Sequence, residues 1–302
     1  MSCEFMLAYF TTAPMEPADA LLVAHKVGYT AIGIRLAALS EGGDFSPLCE
    51  NPALLRQTIA RMQDTGVSVF DVEGVRLEEQ FRVGHYDRLF AVAAELRAKV
   101  LSVISYDPDE RRRIDSFAKL CDAAAEFNFT AALEFIPYSA IPDLHSAVRM
   151  LRQAQRPNAR IVVDFLHASW SKLTSADLDA LPQDWLSHAQ LCDAPAEKPA
   201  TREGLIHIAR YARLLPGDGA IDVPGRLRDL PDGVPISIEV PNVEQLTAHG
   251  AEEWARRALL ATRQVLKKNK GATDEDDNSN SECRASLHST HTGASGSRDV
   301  PH

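Results

Sequence analysis

Eight short apolar runs, rich in β-branched and aromatic residues, alternate with longer stretches of helical period along the chain, and this alternation constrains the fold more than any other feature. The runs lie at Phe5–Phe10, Thr30–Leu36, Val67–Glu73, Val100–Ser105, Ala131–Ile136, Ile161–Phe165, Leu186–Cys192 and Ile236–Val240. Helical patterns fill the gaps, among them Ala18–Val27, Pro52–Thr65, Tyr86–Arg97, Arg111–Phe127, Asp143–Arg152 and Ala251–Lys267. Several runs, such as RIVVDF and PISIEV, are continuously apolar rather than alternating, as expected when a sheet is covered on both faces and therefore parallel. Eight strand–helix units in series predict an α/β fold of the (β/α)8 TIM barrel type, one domain over residues 1–268. No GxGxxG follows the first run, which argues against a dinucleotide-binding sheet.

From residue 269 to 302 the composition turns to Ser, Asp, Asn, Gly and Thr with almost no large apolar side chain. Such a segment cannot bury enough surface to offset its ordering entropy, so it is expected to be a disordered tail in which His288 and His291 are incidental. The net charge of −10 and pI near 5.5 oppose binding of nucleic acid. No apolar run is long enough to cross a bilayer, and the N-terminus lacks the basic and small-residue features of a secretory signal. A cytoplasmic location without membrane partners is expected. Five scattered cysteines with no CxxC suggest neither a disulfide framework nor a zinc knuckle.

In a parallel barrel the site forms at the C-terminal ends of the strands, so the residue closing each run is the informative one. The fifth run ends near Glu134, the sixth at Asp164 with His167 beyond it, the seventh at Gln190 and Asp193, and the eighth at Glu239. Carboxylates beside apolar strand residues are costly to bury without a cation, and several at one mouth repel each other. A single divalent metal ion removes both costs. The oxygen-rich donor set favours Mn2+ or Mg2+.

The ordered motifs LEFIPYS, VVDFLHASWSK, HAQLCDAP, RLLPGDGAID and ISIEVPN resemble those of the xylose-isomerase-like barrels known as sugar phosphate isomerases and epimerases, over residues 3 to 265. The resemblance implies metal ligands at Glu134, Asp164, Gln190 and Glu239, with His188 lying two residues before the third. It implies that Glu134 and Glu239 act as acid and base, that His167 contacts a substrate oxygen, and that Arg213 lines the mouth to stabilise an enediolate oxygen. The implied substrate is a small carbohydrate or polyhydroxy-carbonyl compound. The leading expectation is a metal-dependent isomerase or epimerase; the alternative is a dehydratase of the inosose or 3-dehydroshikimate type. The apurinic endonucleases of the same superfamily need a histidine-rich multi-zinc site and a basic groove, and the chain has neither. Relatives often form homo-oligomers.

Plainer roles compete for the same residues. Glu134 and Glu239 would serve equally in ion pairs, and Asp164 would serve as the N-cap of a following helix. Arg35 and Glu73 also fall at strand ends facing the mouth, and Tyr138 and Trp170 at its rim. The PGDGAID segment reads as a turn rather than a phosphate cradle, and DPDERRR as a helix start.

Overall fold

The computed structural model describes residues 5–38 and 43–267. The segment 269–302, expected to be a disordered tail, lies outside the described residues. Eight parallel strands close into a barrel in sequence order. They are β1 (Phe5–Leu7), β2 (Ala31–Arg35), β3 (Ser68–Leu77), β4 (Val100–Ser105), β5 (Thr130–Glu134), β6 (Ala159–Asp164), β7 (Leu186–Leu191) and β8 (Ile236–Ile238). Every predicted run is a strand, but β1, β5 and β8 end two or three residues early. After β1 the chain turns into the short helix Tyr9–Thr12, and there the Thr11 hydroxyl donates to Ile238 O at 2.8 Å and accepts from Val240 N at 2.9 Å. A side chain thus replaces the backbone ladder at the top of the β1–β8 seam.

Helices shield the outside of the barrel, and their ends are written in the sequence. Asn51 accepts from Ala53 N and Leu54 N ahead of Pro52, and Gly66 closes the same helix in the left-handed conformation. Asp109 caps Glu110–Glu126, so DPDERRR is the helix start expected of it. Asp143 caps Leu144–Ala154, and Asn242 caps Val243–His249. The last helix runs over 251–267. The main core lies between strands and helices, with Phe90, Phe117, Phe135 and Phe165 fully buried. Val100, Ala132 and Val162 form a separate cluster with Phe70. Alternation puts these three on the same strand face as Glu134 and Asp164, so they plug the barrel beneath its mouth. Among the described residues no helix is long and apolar enough to cross a membrane.

Candidate active site

Register assembles the mouth. Arg35 on β2 pairs with Glu73 on β3, Asp164 on β6 with Gln190 on β7, and Gln190 with Ser237 on β8, two residues before Glu239. Glu134 closes β5. Glu73, Glu134, Gln190 and Glu239 line one cavity of about 60 Å3 together with Arg35, His167 and Arg213. Asp164 is fully buried immediately behind it. The structure therefore brings Glu134, Gln190, Glu239, His167 and Arg213 to one cavity with Arg35 and Glu73, whose strand-end positions also pointed to the mouth, whereas Asp193 turns away to the PGDGAID loop.

Asp164 uses its two oxygens differently. Oδ1 accepts from His167 N at 3.0 Å and caps the helix Phe165–Trp170, so the plainer role is real. Oδ2 accepts from Arg213 Nη1 at 2.5 Å. The same guanidinium reaches Glu239 Oε2 through Nη2 at 3.1 Å, and its Nε donates to Ala209 O at 2.9 Å. Arg213 is only 3% exposed. Its head group thus sits among the carboxylates, which is a deeper position than the rim.

One guanidinium cannot neutralise two carboxylates, and the two respond in opposite directions. Burial raises the Asp164 pKa, but Arg213 at the shorter distance outweighs it and holds the group below the usual carboxylate range. Burial pushes Glu239 well above that range, against the pull of Arg213. Glu134, with His167 Nε2 at 3.6 Å, is pushed by burial to about 8, and repulsion from Asp164 adds to this against the pull of Arg213. Burial lowers His167 to about 4, so its ring is neutral at pH 7, with Nδ1 buried and without a partner among the described residues. Arg35 Nη2 donates to Glu73 Oε2 at 2.9 Å while Glu73 Oε1 has no hydrogen-bond partner among the described residues.

Four carboxylates at the mouth, the buried Glu73, Asp164 and Glu239 and the partly buried Glu134, therefore face the guanidiniums of Arg35 and Arg213, while Asp71 lies buried beside Glu73 as a fifth acid. Two negative charges are left over when the four at the mouth ionise. Gln190 Oε1 is also buried without a hydrogen-bond partner among the described residues. An orphaned amide oxygen beside surplus carboxylates is the donor chemistry of a hard divalent cation, and so the residues fit one in type and in charge. Among the described residues no three His, Cys, Asp or Glu side chains stand converged as a metal cluster, because the Arg213 guanidinium holds Asp164 and Glu239.

His188 lies deeper on β7, with its ring edge-on to Phe70, Nδ1 3.1 Å from Ser187 Oγ, and Nε2 without a partner among the described residues. It does not line the cavity. Tyr138 does, and packs edge-on to His167, whereas Trp170 packs behind the His167 ring. The loop of PGDGAID is tied down by Asp193, whose carboxylate accepts from the backbone N–H groups of Gly217 and Gly219 at 3.0 Å and Ile221 at 2.9 Å. Those donors are thereby occupied, and the segment is a rim turn and not an anion cradle.

Among the cavity residues that the sequence reading did not single out are the polar Arg76, Ser102, Tyr106 and Arg210. Arg210 lies in the last turn of the helix Arg202–Tyr211, whereas Arg213 follows the C-cap Ala212 in a segment bridged at Ala212 to Asn242 and at Leu214 to Asp193. No local pattern marks Arg210.

No curated protein matches the chain in sequence. Solved structures match in fold. IolI with a bound zinc atom superposes with a TM-score of 0.73 at 19% identity, covering 88% of this chain and 99% of that one. The probable 3-DHS dehydratase AsbF of Bacillus anthracis gives 0.68 at 14%, covering 86% and 98%. D-allulose 3-epimerase from Methylomonas sp. gives 0.64 at 15%, covering 87% and 98%. A family model described as xylose isomerase-like TIM barrel matches residues 21–264, most of the barrel including every strand-end residue above. The chain belongs to the xylose isomerase-like TIM barrel family.

Proposed function

We propose that the protein is a divalent-metal-dependent isomerase or epimerase of a small hydroxy-carbonyl compound, acting through an enediolate. The observation that carries this reading is the surplus of two negative charges around a buried, unpartnered Gln190 Oε1. Neighbours in fold that include a zinc-bound IolI and a sugar 3-epimerase support it. Glu134, Asp164, Gln190 and Glu239 would hold the cation, with Mn2+ or Mg2+ the best fit to all-oxygen donors. When bound, the cation supplies Lewis acidity toward a carbonyl and an adjacent hydroxyl.

The remaining chemistry belongs to the chain. Glu134 on β5 and Glu239 after β8 stand three strands apart around the ring, so each can address the substrate from its own arc. One removes the α-proton and the other returns it. His167, neutral and lining the cavity, offers a ring nitrogen to a substrate oxygen without adding a charge. Arg213 offsets charge on Asp164 and Glu239 and favours a developing oxyanion nearby. Phe10, Ile104 and Ile136 wall the cavity and limit its water.

The second reading is dehydration, in which the same intermediate expels a β-hydroxyl. It is favoured by the carbon faces of Phe10, Ile104 and Ile136 among the polar lining, against which a cyclic carbon body packs. Incubation with Mn2+ and a panel of ketoses, inososes and 3-dehydroshikimate separates the two. Deuterium uptake from solvent without loss of water supports isomerisation, and a new ultraviolet enone band supports dehydration. Glu239→Gln is expected to weaken Mn2+ binding, measured by calorimetry, and to abolish turnover. A variant with unchanged affinity and activity would sink the reading.

A further inference from the structure

We propose that the mouth selects a substrate bearing one carboxylate, held by Arg210, so that the reacting compound is a compact hydroxy-carbonyl acid and not a neutral sugar. This rests on the reading of the inner ring given above and adds a group which that reading leaves unused.

Four guanidiniums line the cavity, and three are engaged. Arg35 pairs with Glu73, Arg213 with Asp164 and Glu239, and Arg76 with Glu78 through Nε at 2.8 Å. Arg210 has no carboxylate or carbonyl partner among the described residues, although it is half-buried and its charge is felt at the Tyr138 phenol. Once a divalent cation balances the inner ring, Arg210 is the charge left over at the mouth. A monoanion completes the balance. A neutral polyol would leave the guanidinium uncompensated in a partly desolvated cavity, where the interaction with an anion is strongest.

The walls point the same way. Beside Arg210 and the ring the cavity is bounded by Phe10, Ile104, Tyr106, Ile136 and Tyr138. Their surface is mostly carbon, which suits a short or cyclic carbon body with few hydroxyls. The last turn of a helix favours any cation through the helix dipole, and Lys would satisfy that need as well as Arg. Bidentate recognition of a carboxylate needs the guanidinium fork. The two explanations therefore separate in the Lys variant.

The test is calorimetric binding of two matched pairs to the wild type, R210Q and R210K: hydroxypyruvate against dihydroxyacetone, and 3-dehydroshikimate against its methyl ester. Within each pair the hydroxy-carbonyl unit is kept and only the carboxylate differs. Each acid is expected to bind at least about tenfold more tightly than its neutral mate, as a charge-assisted bidentate pair implies. R210Q is expected to bring the members to within about twofold and R210K to restore part of the gap. Mn2+ affinity is expected to be the same in all three proteins, since Arg210 is not among the donors. Equal binding of acid and neutral mate, a preference that survives in R210Q, or failure of both pairs to bind the wild type overturns the proposal. Repeating the titrations without metal keeps the two readings apart. A wild type that binds no Mn2+ refutes the metal reading, while the acid preference of the metal-free protein still reports on Arg210.

Discussion

Replacing Arg213 with Met removes one positive charge from the centre of the carboxylate ring while keeping much of the side-chain volume. The wild-type guanidinium makes a 2.5 Å bond to Asp164 Oδ2 and a 3.1 Å bond to Glu239 Oε2, and it is 3% exposed, so solvent screens neither bond appreciably. Removing one partner of a buried pair typically costs about 3–5 kcal/mol, because the other charge stays behind unpaired. For a domain of this size that corresponds to a fall in Tm of roughly 6–12 °C in the metal-free protein. The carboxylates left in the ring then exceed guanidinium by three charges instead of two, and a divalent cation relieves more repulsion in the variant than in the wild type. Thermal unfolding followed by circular dichroism, in chelator and in saturating Mn2+, measures both effects. The expected result is a large loss in chelator and a larger Mn2+-induced gain for R213M than for the wild type. A variant that melts within about 2 °C of wild type in chelator, or that gains no more than wild type from Mn2+, refutes the account of Arg213 as the ring's internal counter-charge.

Two further outcomes follow from the interior. Asp71, accepting from Ser102 Oγ at 3.0 Å and facing Glu73 and Arg35, is pushed by burial to about 8, so its contribution to stability is present below the ordinary carboxylate pKa and is lost as pH rises toward 8, by about 1.4 kcal/mol per unit. Asp71→Asn should flatten that slope, so denaturation midpoints of wild type and variant should diverge between pH 5 and pH 8; a constant offset would count against it. At Gly219 an added Cβ would meet Ala194 O at 2.3 Å and Asp193 Oδ1 at 2.4 Å. Gly219→Ala should displace the rim turn from Asp193, lower Tm by several degrees and speed proteolysis near residue 219, and an unchanged digestion pattern would show that the turn does not need the close approach.

Strand and helix positions were legible because each follows from local pattern. A continuous apolar run such as RIVVDF admits few alternatives, and caps such as Asn51 and Asp109 mark helix starts by side-chain chemistry alone. The strand-end donors were legible for a related reason, since parallel closure brings every strand's last residue to the same rim whatever its separation in sequence. What stayed hidden were partnerships. The RLLPGDGAID motif marks Arg213, but nothing local ties it to Asp164, 49 positions earlier, or points to Arg210 three residues before it. Asp71 was hidden differently. The β2–β3 register shifts so that Ile32 pairs with Val69 and Gly33 with Asp71, passing over Phe70, and inward–outward alternation along β3 cannot be extrapolated across the break.

The partial pairing of the ring is what keeps it chemically open. Had the mouth held a guanidinium for each carboxylate, the cluster would be neutral and a divalent cation would meet net repulsion from the arginines. Had it held none, four buried carboxylates would take up protons rather than remain as ligands, as Glu134 and Glu239 already tend to do. With Arg35 fixed on Glu73 and Arg213 shared between Asp164 and Glu239, the deficit equals the charge of one divalent ion, and the unpartnered Gln190 oxygen supplies a donor that costs no further charge. In the function proposed above, affinity for a cation and availability of a basic carboxylate arise from the same imbalance, and a substitution that fully neutralised the ring, such as Glu134→Gln with Glu73→Gln, would gain stability at the expense of both.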